Sequence, residues 1–298
     1  MHPATDPLLG VLLPEGYRIS QLLKSGGTSR VYLGGAEHSS SREPLEGGAP
    51  SPERVALKIL RSEMARSPEI LAAFEREASV AARIRHPNVV HALAWGALPG
   101  GLPYLVTELL RGLDLADTLA RARRLAPRRA VQIARSIASG LDAAHRAGIV
   151  HRDLKPENVF LVHAADGREI VKLLDFGAPG SLGALGTPGY RAPEIALGGE
   201  GSVASDIYSL GVVLFEMLTG RLPGAVSPGE PSSLTSVPPL AVSDLPASLD
   251  AALTRALAAD PLDRFASMSD LDQALEVVLG HLAGVGGGIH SPKRSVTV

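Results

Sequence analysis

The feature that most constrains the fold of this chain is the run of eight residues from His151 to Asn158, which reads HRDLKPEN. It brings a carboxylate, an ammonium group and an amide together in a predicted loop, after a long helical stretch and before a short strand at 159–162. A second polar motif, Asp175-Phe176-Gly177, follows an apolar strand predicted at 170–174. Loops held by strands and helices are where functional side chains concentrate, so both motifs are candidates for a functional site.

The residue pattern changes near residue 110. Before it, short stretches rich in Val, Leu, Ile and Tyr predict strands at 17–23, 30–34, 54–60 and 103–109, and one stretch with Pro and Glu at its start predicts a helix at 68–85. After residue 112, apolar residues at helical spacing predict helices at 127–147, 202–219, 250–259 and 269–281. This pattern predicts an α+β fold with a small antiparallel-sheet lobe, a larger mainly helical lobe and a cleft between them.

Composition narrows the class of protein. With 298 residues, 45% of them hydrophobic, and a formal net charge of -2, the chain can bury a large core and has no basic excess for nucleic acid or an anionic membrane. It contains no cysteine, which excludes disulfides and a thiolate nucleophile and makes the cytoplasm the expected compartment. The apolar segment 207–218 is shorter than the roughly 20 residues that span a bilayer, so no membrane span is expected. Gly, Ser and Pro predict loops at 37–53 and 223–246.

The two polar motifs resemble those of the protein kinase superfamily, and over residues 17–283 the chain is most similar to the bacterial eukaryotic-like serine/threonine protein kinases. The resemblance implies a bilobal protein-kinase fold, with an N-lobe at about 17–110 and a C-lobe at about 111–283, flanked by an N-terminal extension at 1–16 and a flexible tail at 284–298. It also implies that ATP and Mg²⁺ are used to phosphorylate serine and threonine hydroxyls on protein substrates.

Four residues of the two motifs take chemical roles by this resemblance. Asp153 is similar to the catalytic base that accepts the proton of the substrate hydroxyl. Lys155 is similar to the lysine that contacts the transferred phosphate and marks serine/threonine specificity. Asn158 and Asp175 resemble the ligands of Mg²⁺, an ion that prefers hard oxygen donors such as amides and carboxylates.

The small lobe contributes a candidate lysine and its partner. Val55-Ala56-Leu57-Lys58 resembles the strand whose lysine holds the α and β phosphates, and Glu77 on the following helix is the expected ion-pair partner. Either residue alone would be interpreted as a solvated surface charge. Their joint occurrence with HRDLKPEN and Asp-Phe-Gly favours the functional interpretation.

The remaining nucleotide contacts are also implied by the resemblance. Val31, Ala56 and Phe160 would enclose the adenine ring, the segment from Glu108 to Leu110 would be the hinge that hydrogen-bonds it, and Thr107 would be the gatekeeper. The full set of predicted nucleotide-binding residues is Leu23, Gly26, Gly27, Ser29, Val31, Ala56, Lys58, Glu77, Glu108, Leu110 and Phe160.

The glycine-rich loop departs from the family pattern G-x-G-x-x-G-x-V. Of its three glycines only the middle one, Gly26, is kept, since Lys24 and Ser29 occupy the other two positions. Serine still lets the backbone approach phosphate closely, whereas Lys24 replaces the residue that eases the turn. Two interpretations stay open: the loop tolerates a side chain there, or nucleotide affinity is weakened. We expect a functional loop with Lys24 near the mouth of the cleft.

Three further residues resemble scaffold positions of the family. Glu194, which ends the segment Gly186-Thr187-Pro188-Gly189-Tyr190-Arg191-Ala192-Pro193-Glu194, is expected to pair with Arg264, and Asp206 to anchor the backbone of the catalytic loop. Ser181 is the one hydroxyl between Gly177 and Gly186. It is either an autophosphorylation site whose phosphate Arg152 receives, or the enzyme is active without such a switch.

Two other enzyme-fold functions and one binding function would leave different marks on the sequence. A pseudokinase, which binds nucleotide without turnover, is favoured by Lys24 and the short activation segment and disfavoured by the complete set of catalytic residues. A kinase of small molecules would not require the Ala-Pro-Glu segment. The arginine run at 121–129 could bind nucleic acid, but its place between two predicted helices favours a solvated face, so no nucleic-acid partner is expected.

Overall fold

The computed structural model describes residues 6–37, 52–164, 166–176, 188–223 and 245–285. Within these ranges the chain forms strands β1 (Tyr17–Ser25), β2 (Ser29–Ala36), β3 (Arg54–Leu60), β4 (Ala92–Ala97), β5 (Pro103–Glu108), β6 (Gly112–Asp114), β7 (Val159–His163) and β8 (Glu169–Leu173). The helices of the same ranges are α1 (Pro68–Arg83), α2 (Leu115–Ala122), α3 (Pro127–Arg146), α4 (Pro193–Ala196), α5 (Val203–Thr219), α6 (Ala247–Ala256) and α7 (Met268–Val285). The predicted α+β class and the division into a sheet-rich and a helical lobe are confirmed.

The small lobe is an antiparallel sheet of five strands in the order β1-β2-β3-β5-β4. Four of these strands were predicted, and β4 was missed. Its sequence, Ala-Leu-Ala-Trp-Gly-Ala, is rich in residues that are depleted in strands, so no local pattern marks it. Pairing with β5 makes it a strand, for example through Trp95 opposite Leu105.

Helix α1 packs beneath this sheet and carries Glu77 on its buried face. It begins at a serine cap, because the Ser67 hydroxyl accepts a hydrogen bond from the Ile70 amide and Pro68 occupies the first turn. The helix ends at Arg83, two residues before the predicted end, because Ile84 already has extended backbone angles.

Residues 6–16 lie against the sheet. The Gly10 amide donates to the Ile19 carbonyl, and the Leu13 amide donates to the Tyr17 carbonyl. Leu13 is 2% exposed and belongs to the apolar cluster of the small lobe. The Tyr104 hydroxyl donates to the Glu15 carboxylate at 2.9 Å. The segment before residue 17 therefore contributes to the core of this lobe.

The large lobe is built around helix α5, which is buried nearly all round as its continuous apolar sequence predicted. Ser202 and Ser205 cap it reciprocally at its start, and Gly220 ends it with a left-handed backbone conformation of φ 72°. Helix α3 packs against both α5 and α7. Helix α6 begins three residues before the predicted start, and α7 continues to Val285, four residues beyond its predicted end.

A second sheet of three strands, β6-β7-β8, joins the lobes. Leu173 on β8 exchanges backbone hydrogen bonds with Asn88 and Val90 of the small-lobe side, and the Lys172 ammonium lies 2.7 Å from the Glu108 carboxylate at the hinge. The sheet therefore fixes the loop before β7 and the loop after β8 beneath the first sheet. Among the described residues no helix is long and apolar enough to cross a bilayer. Most of the predicted loops at 37–53 and 223–246, and all but the first two residues of the tail, lie outside the described ranges.

Candidate active site

A cavity of about 590 Å³ lies between the two lobes. Its walls contain most of the residues predicted to contact nucleotide, namely Leu23, Val31, Ala56, Lys58, Glu77, Glu108, Leu110 and Phe160, together with Thr107. Gly26 and Gly27 lie in the turn between β1 and β2, and Ser29 begins β2. A hydrogen bond from the Gly26 amide to the Ser29 carbonyl closes the turn, and these three residues are not part of the wall. The apolar members can enclose a flat ring, and Lys58 and Glu77 cluster with Asp175 at the deep end.

Lys58 joins the two lobes at the deep end of this cavity. Its ammonium donates to the Glu77 carboxylate at 2.6 Å and to the Asp175 carboxylate at 2.8 Å. Glu77 comes from α1, Lys58 from β3, and Asp175 follows β8. The predicted Lys58–Glu77 pair is therefore present, and the same ammonium also orients the Asp175 carboxylate.

The charges in this cluster shift one another's pKa values. Burial by itself would lower the pKa of Lys58, but the carboxylates of Asp175 and Glu77 raise it above its ordinary value. Burial by itself would raise the pKa of Asp175, but the Lys58 ammonium lowers it. Lys58 is thus held as a cation and Asp175 as an anion, which are the forms that bind phosphate oxygens and a metal ion.

The Glu77 carboxyl is expected to titrate at a higher pH than an ordinary glutamate. Burial raises the pKa of its carboxyl from the ordinary 4.5 to about 7, although the Lys58 ammonium opposes this shift. A carboxyl whose pKa is raised by folding stabilises the protein fully below its unfolded pKa and loses that contribution as the pH rises through the folded pKa. In protein free of nucleotide and metal, wild type should therefore lose stability relative to Glu77→Gln as the pH rises from about 4.5 to 7. Denaturant melts across this range measure the difference, and a constant difference would show that Glu77 is ionised throughout.

The catalytic loop brings Asp153, Lys155 and Asn158 into contact with one another, and none of the three is part of the cavity wall. The Lys155 ammonium donates to the Asp153 carboxylate at 2.8 Å, and the Asn158 amide nitrogen donates to the Asp153 carbonyl at 2.8 Å. A short turn at Pro156–Asn158 makes this possible, and the Leu174 amide donates to the Asn158 carbonyl. The loop after β8, which carries Asp175, is thereby tied to the catalytic loop.

The oxygen donors of this region fit a magnesium ion. The nitrogen of the Asn158 side chain is committed to the protein, so its amide oxygen is the atom that it can offer to a metal. Asp175 offers a carboxylate. Among the described residues there is no group of three or more His, Cys, Asp or Glu that could hold a metal alone. Magnesium commonly binds through one or two protein oxygens together with substrate phosphates, and this donor set suits that mode.

Asp206 on α5 anchors the catalytic loop as predicted. Its carboxylate accepts hydrogen bonds from the backbone amides of His151 and Arg152 at 2.8 and 3.0 Å, and His145 contacts the same carboxylate. Arg152 and Asp175 have φ values of 70° and 56°, which side chains rarely adopt. Backbone strain of this kind persists where surrounding contacts over-determine the conformation, and it clusters at active sites.

Three other predictions concern the surroundings of the site. Arg264 and Glu194 form a bidentate ion pair at 2.7 and 2.8 Å, as predicted. In the run 121–129, four of the five arginines are exposed, and Arg129 pairs with Glu169. Ser181 lies outside the described residues.

Sequence reasoning assigned no site role to three acidic residues of the cavity wall, Asp114, Asp117 and Glu157. Asp114 also caps α2, because its carboxylate accepts a hydrogen bond from the Asp117 amide. An aspartate just before a helix is normally interpreted as a cap of this kind. The expected position of Lys24 near the mouth of the cleft is confirmed, because Lys24 is part of the cavity wall and its ammonium lies 3.1 Å from the Asp114 carboxylate.

A lysine held between carboxylates from both lobes, above a loop that carries a second aspartate and lysine, is an arrangement for positioning the phosphates of a nucleotide. Together with a sheet-rich lobe above a helical lobe, it defines a bilobal phosphotransferase fold. A model of the protein kinase domain matches residues 48–238, and the chain belongs to that family. The matched stretch begins after β1 and β2, which contain the departures from the glycine pattern.

Several bacterial proteins are similar over most of the chain. Serine/threonine-protein kinase PknJ of Mycobacterium tuberculosis is 37% identical, with 89% of this chain and 45% of that protein covered. Pkn1 of Myxococcus xanthus is 36% identical over 93% of this chain and 40% of that protein. The chain thus spans less than half the length of these two relatives. PknL of M. tuberculosis is 33% identical, with 97% and 72% covered.

Solved structures give the same result for the fold. The crystal structure of the M. tuberculosis PknI kinase domain superposes with a TM-score of 0.68 at 30% identity. The superposition covers 90% of this chain and 98% of that domain.

Proposed function

We propose that this chain transfers the γ-phosphoryl group of ATP to serine and threonine hydroxyls of protein substrates. The observation that carries the proposal is the pair of hydrogen bonds from Lys58 to Glu77 and Asp175, since it links both lobes in the arrangement that phosphoryl transfer requires. The similarity to named serine/threonine-protein kinases supports the same substrate class.

Each residue has a role that follows from its position. Val31, Ala56 and Phe160 offer apolar surface to the adenine ring. Lys58 neutralises the α and β phosphates, and Asn158 and Asp175 hold Mg²⁺, which would neutralise charge on the phosphate oxygens when bound. The Asp153 carboxylate accepts the proton of the attacking hydroxyl.

Lys155 completes the proposed site. Its ammonium donates to Asp153 at 2.8 Å, so it lies where the transferred phosphoryl group would meet the acceptor. A cation there offsets the negative charge that Asp153 brings close to phosphate oxygens.

We also propose that this domain acts in the cytoplasm. ATP is available there, and a chain without cysteine has no disulfide that a reducing compartment would break.

The test is transfer of labelled phosphate from ATP to a generic basic protein, followed by identification of the phosphorylated amino acids. The expected products are phosphoserine and phosphothreonine, with transfer abolished when magnesium is chelated. Nucleotide binding without any transfer would indicate a pseudokinase instead. Phosphotyrosine as the main product would contradict the assigned substrate class.

Autophosphorylation at Ser181 is a separate proposal. Phosphopeptide mapping after incubation with ATP, on wild type and on Ser181→Ala, would detect it. Full activity of Ser181→Ala with no phosphate on the wild-type segment would favour an enzyme that is active without this switch.

A further inference from the structure

The ion pair between Lys24 and Asp114 crosses the mouth of the nucleotide cavity. Lys24 belongs to β1 of the small lobe, and Asp114 ends β6 and caps α2 of the large lobe. Their charged atoms lie 3.1 Å apart, and both residues line the cavity. Within the sheets, Lys24 is paired with Val31 and Asp114 with Phe160, the two residues that offer apolar surface from above and below. The ion pair is therefore directly beside the proposed adenine position, on the open side.

The two partners differ in exposure and in how many contacts hold them. The Asp114 side chain is 10% exposed and is fixed in place, because its other carboxylate oxygen accepts a hydrogen bond from the Asp117 amide at 2.8 Å. The Lys24 side chain is 67% exposed and ends a long flexible stem. A register shift between Leu22 and Lys24 interrupts the β1–β2 pairing at this point, and such bulges redirect the following side chain. One partner is an anchor, and the other can move away from it.

We propose that Lys24 and Asp114 form a latch that covers the mouth of the cavity and controls how fast nucleotide binds and leaves. The inference rests on the proposed function, because it requires nucleotide in this cavity. A glycine at position 24, as in the family pattern, would have no side chain to reach Asp114. Lys24 thus adds a side-chain contact between the lobes, whereas a glycine at this position would offer only backbone atoms.

The latch has a specific kinetic signature. The ion pair is formed in the empty protein, and the proposed latch closes again over bound nucleotide, so nucleotide must displace it both to bind and to leave. Removing it should raise the association and dissociation rates together and leave the Kd nearly unchanged. Ion pairs with one exposed partner are weak, so a change of about two- to five-fold in each rate is expected. A lysine that instead bound phosphate would change the dissociation rate and the Kd, but not the association rate.

The experiment is stopped-flow binding and release of a fluorescent ADP analogue, with the folded state of each variant checked by thermal melting. Lys24→Met should show both rates raised, and Lys24→Arg, which keeps the cation, should be close to wild type. Asp114→Asn removes the charge but keeps an acceptor for the cap. If the two residues act as a pair, the double variant should be no faster than either single variant. Arg54→Met, which removes an exposed cation at the start of β3, is the matched control and should leave both rates unchanged.

Salt gives an independent readout. High salt screens an exposed ion pair, so it should raise both rates of wild type and have little effect on Lys24→Met.

Unchanged rates in Lys24→Met, or a weaker Kd with an unchanged association rate, would overturn the latch while leaving the proposed function intact. Failure of wild type to bind any nucleotide would overturn both.

Discussion

Asp153→Asn should lower kcat for phosphate transfer by about 100- to 10,000-fold, the range that a positioned general base contributes. Asparagine has nearly the same shape as aspartate, and the backbone contacts of the loop to Asp206 and Asn158 do not involve the replaced carboxylate oxygens. The loss should therefore come from chemistry and not from unfolding. The affinity for nucleotide should change little, because Asp153 is absent from the cavity wall that holds it.

The variant Lys155→Met tests whether Lys155 and Asp153 act together. Its ammonium is bonded to the Asp153 carboxylate, so removing either partner disturbs the other. If the two act as one unit, the double variant should lose little more activity than Asp153→Asn alone. Steady-state and single-turnover rates, with nucleotide affinity measured separately, would test this. Asp153→Asn that kept more than a tenth of wild-type kcat would mean that the base is elsewhere.

Arg264→Met should lower the free energy of unfolding by about 3 to 5 kcal/mol, the usual loss when one partner of a buried ion pair is removed. Arg264 is 2% exposed and makes two hydrogen bonds to Glu194 and three to backbone carbonyls, those of Ala204, Ala258 and Ala259. A methionine side chain fills similar volume but leaves all of these acceptors without their donor. The segment that contains Glu194 should also loosen, since the ion pair ties it to Arg264, which in turn donates to the Ala204 carbonyl of α5.

Arg255→Met provides a matched control for Arg264→Met. Both guanidinium groups lie over an aromatic ring, Arg255 at 4.5 Å from the Phe265 centroid and Arg264 at 4.9 Å from the Tyr208 centroid. Arg255 is exposed, so its loss should cost only about 1 kcal/mol. Arg264→Lys should fall between the two, because an ammonium keeps the charge but cannot make the forked contacts. Equal losses for Arg264→Met and Arg255→Met in denaturant titrations would show that the buried network contributes nothing beyond the ring contact.

The motifs were the part of the site that could be predicted from the sequence. Asp153, Lys155 and Asn158 lie within six residues of one another, so one loop conformation brings them together. Lys58 and Glu77 are 19 residues apart and needed only a strand followed by a helix to meet. The buried helix α5 was predictable for a similar reason, since its apolar residues surround it in an unbroken run.

Other features were decided by contacts between residues far apart in the chain. The sequence of β4 has no strand signal of its own and becomes a strand because β5 offers it backbone partners. The segment 6–16 carries no recognisable motif, yet Leu13 is buried because a sheet built from later residues covers it.

The two-lobed α+β fold and the proposed catalytic residues were thus predictable from the sequence, because the strand and helix patterns are local and the motifs resemble those of a known family. Only the tertiary structure revealed that Lys24 meets Asp114, 90 residues away. Each of these residues has a sufficient local explanation, one as an exposed charge on a strand and the other as a helix cap. An ion pair between lobes depends on how the lobes are packed together, and no local pattern encodes that packing.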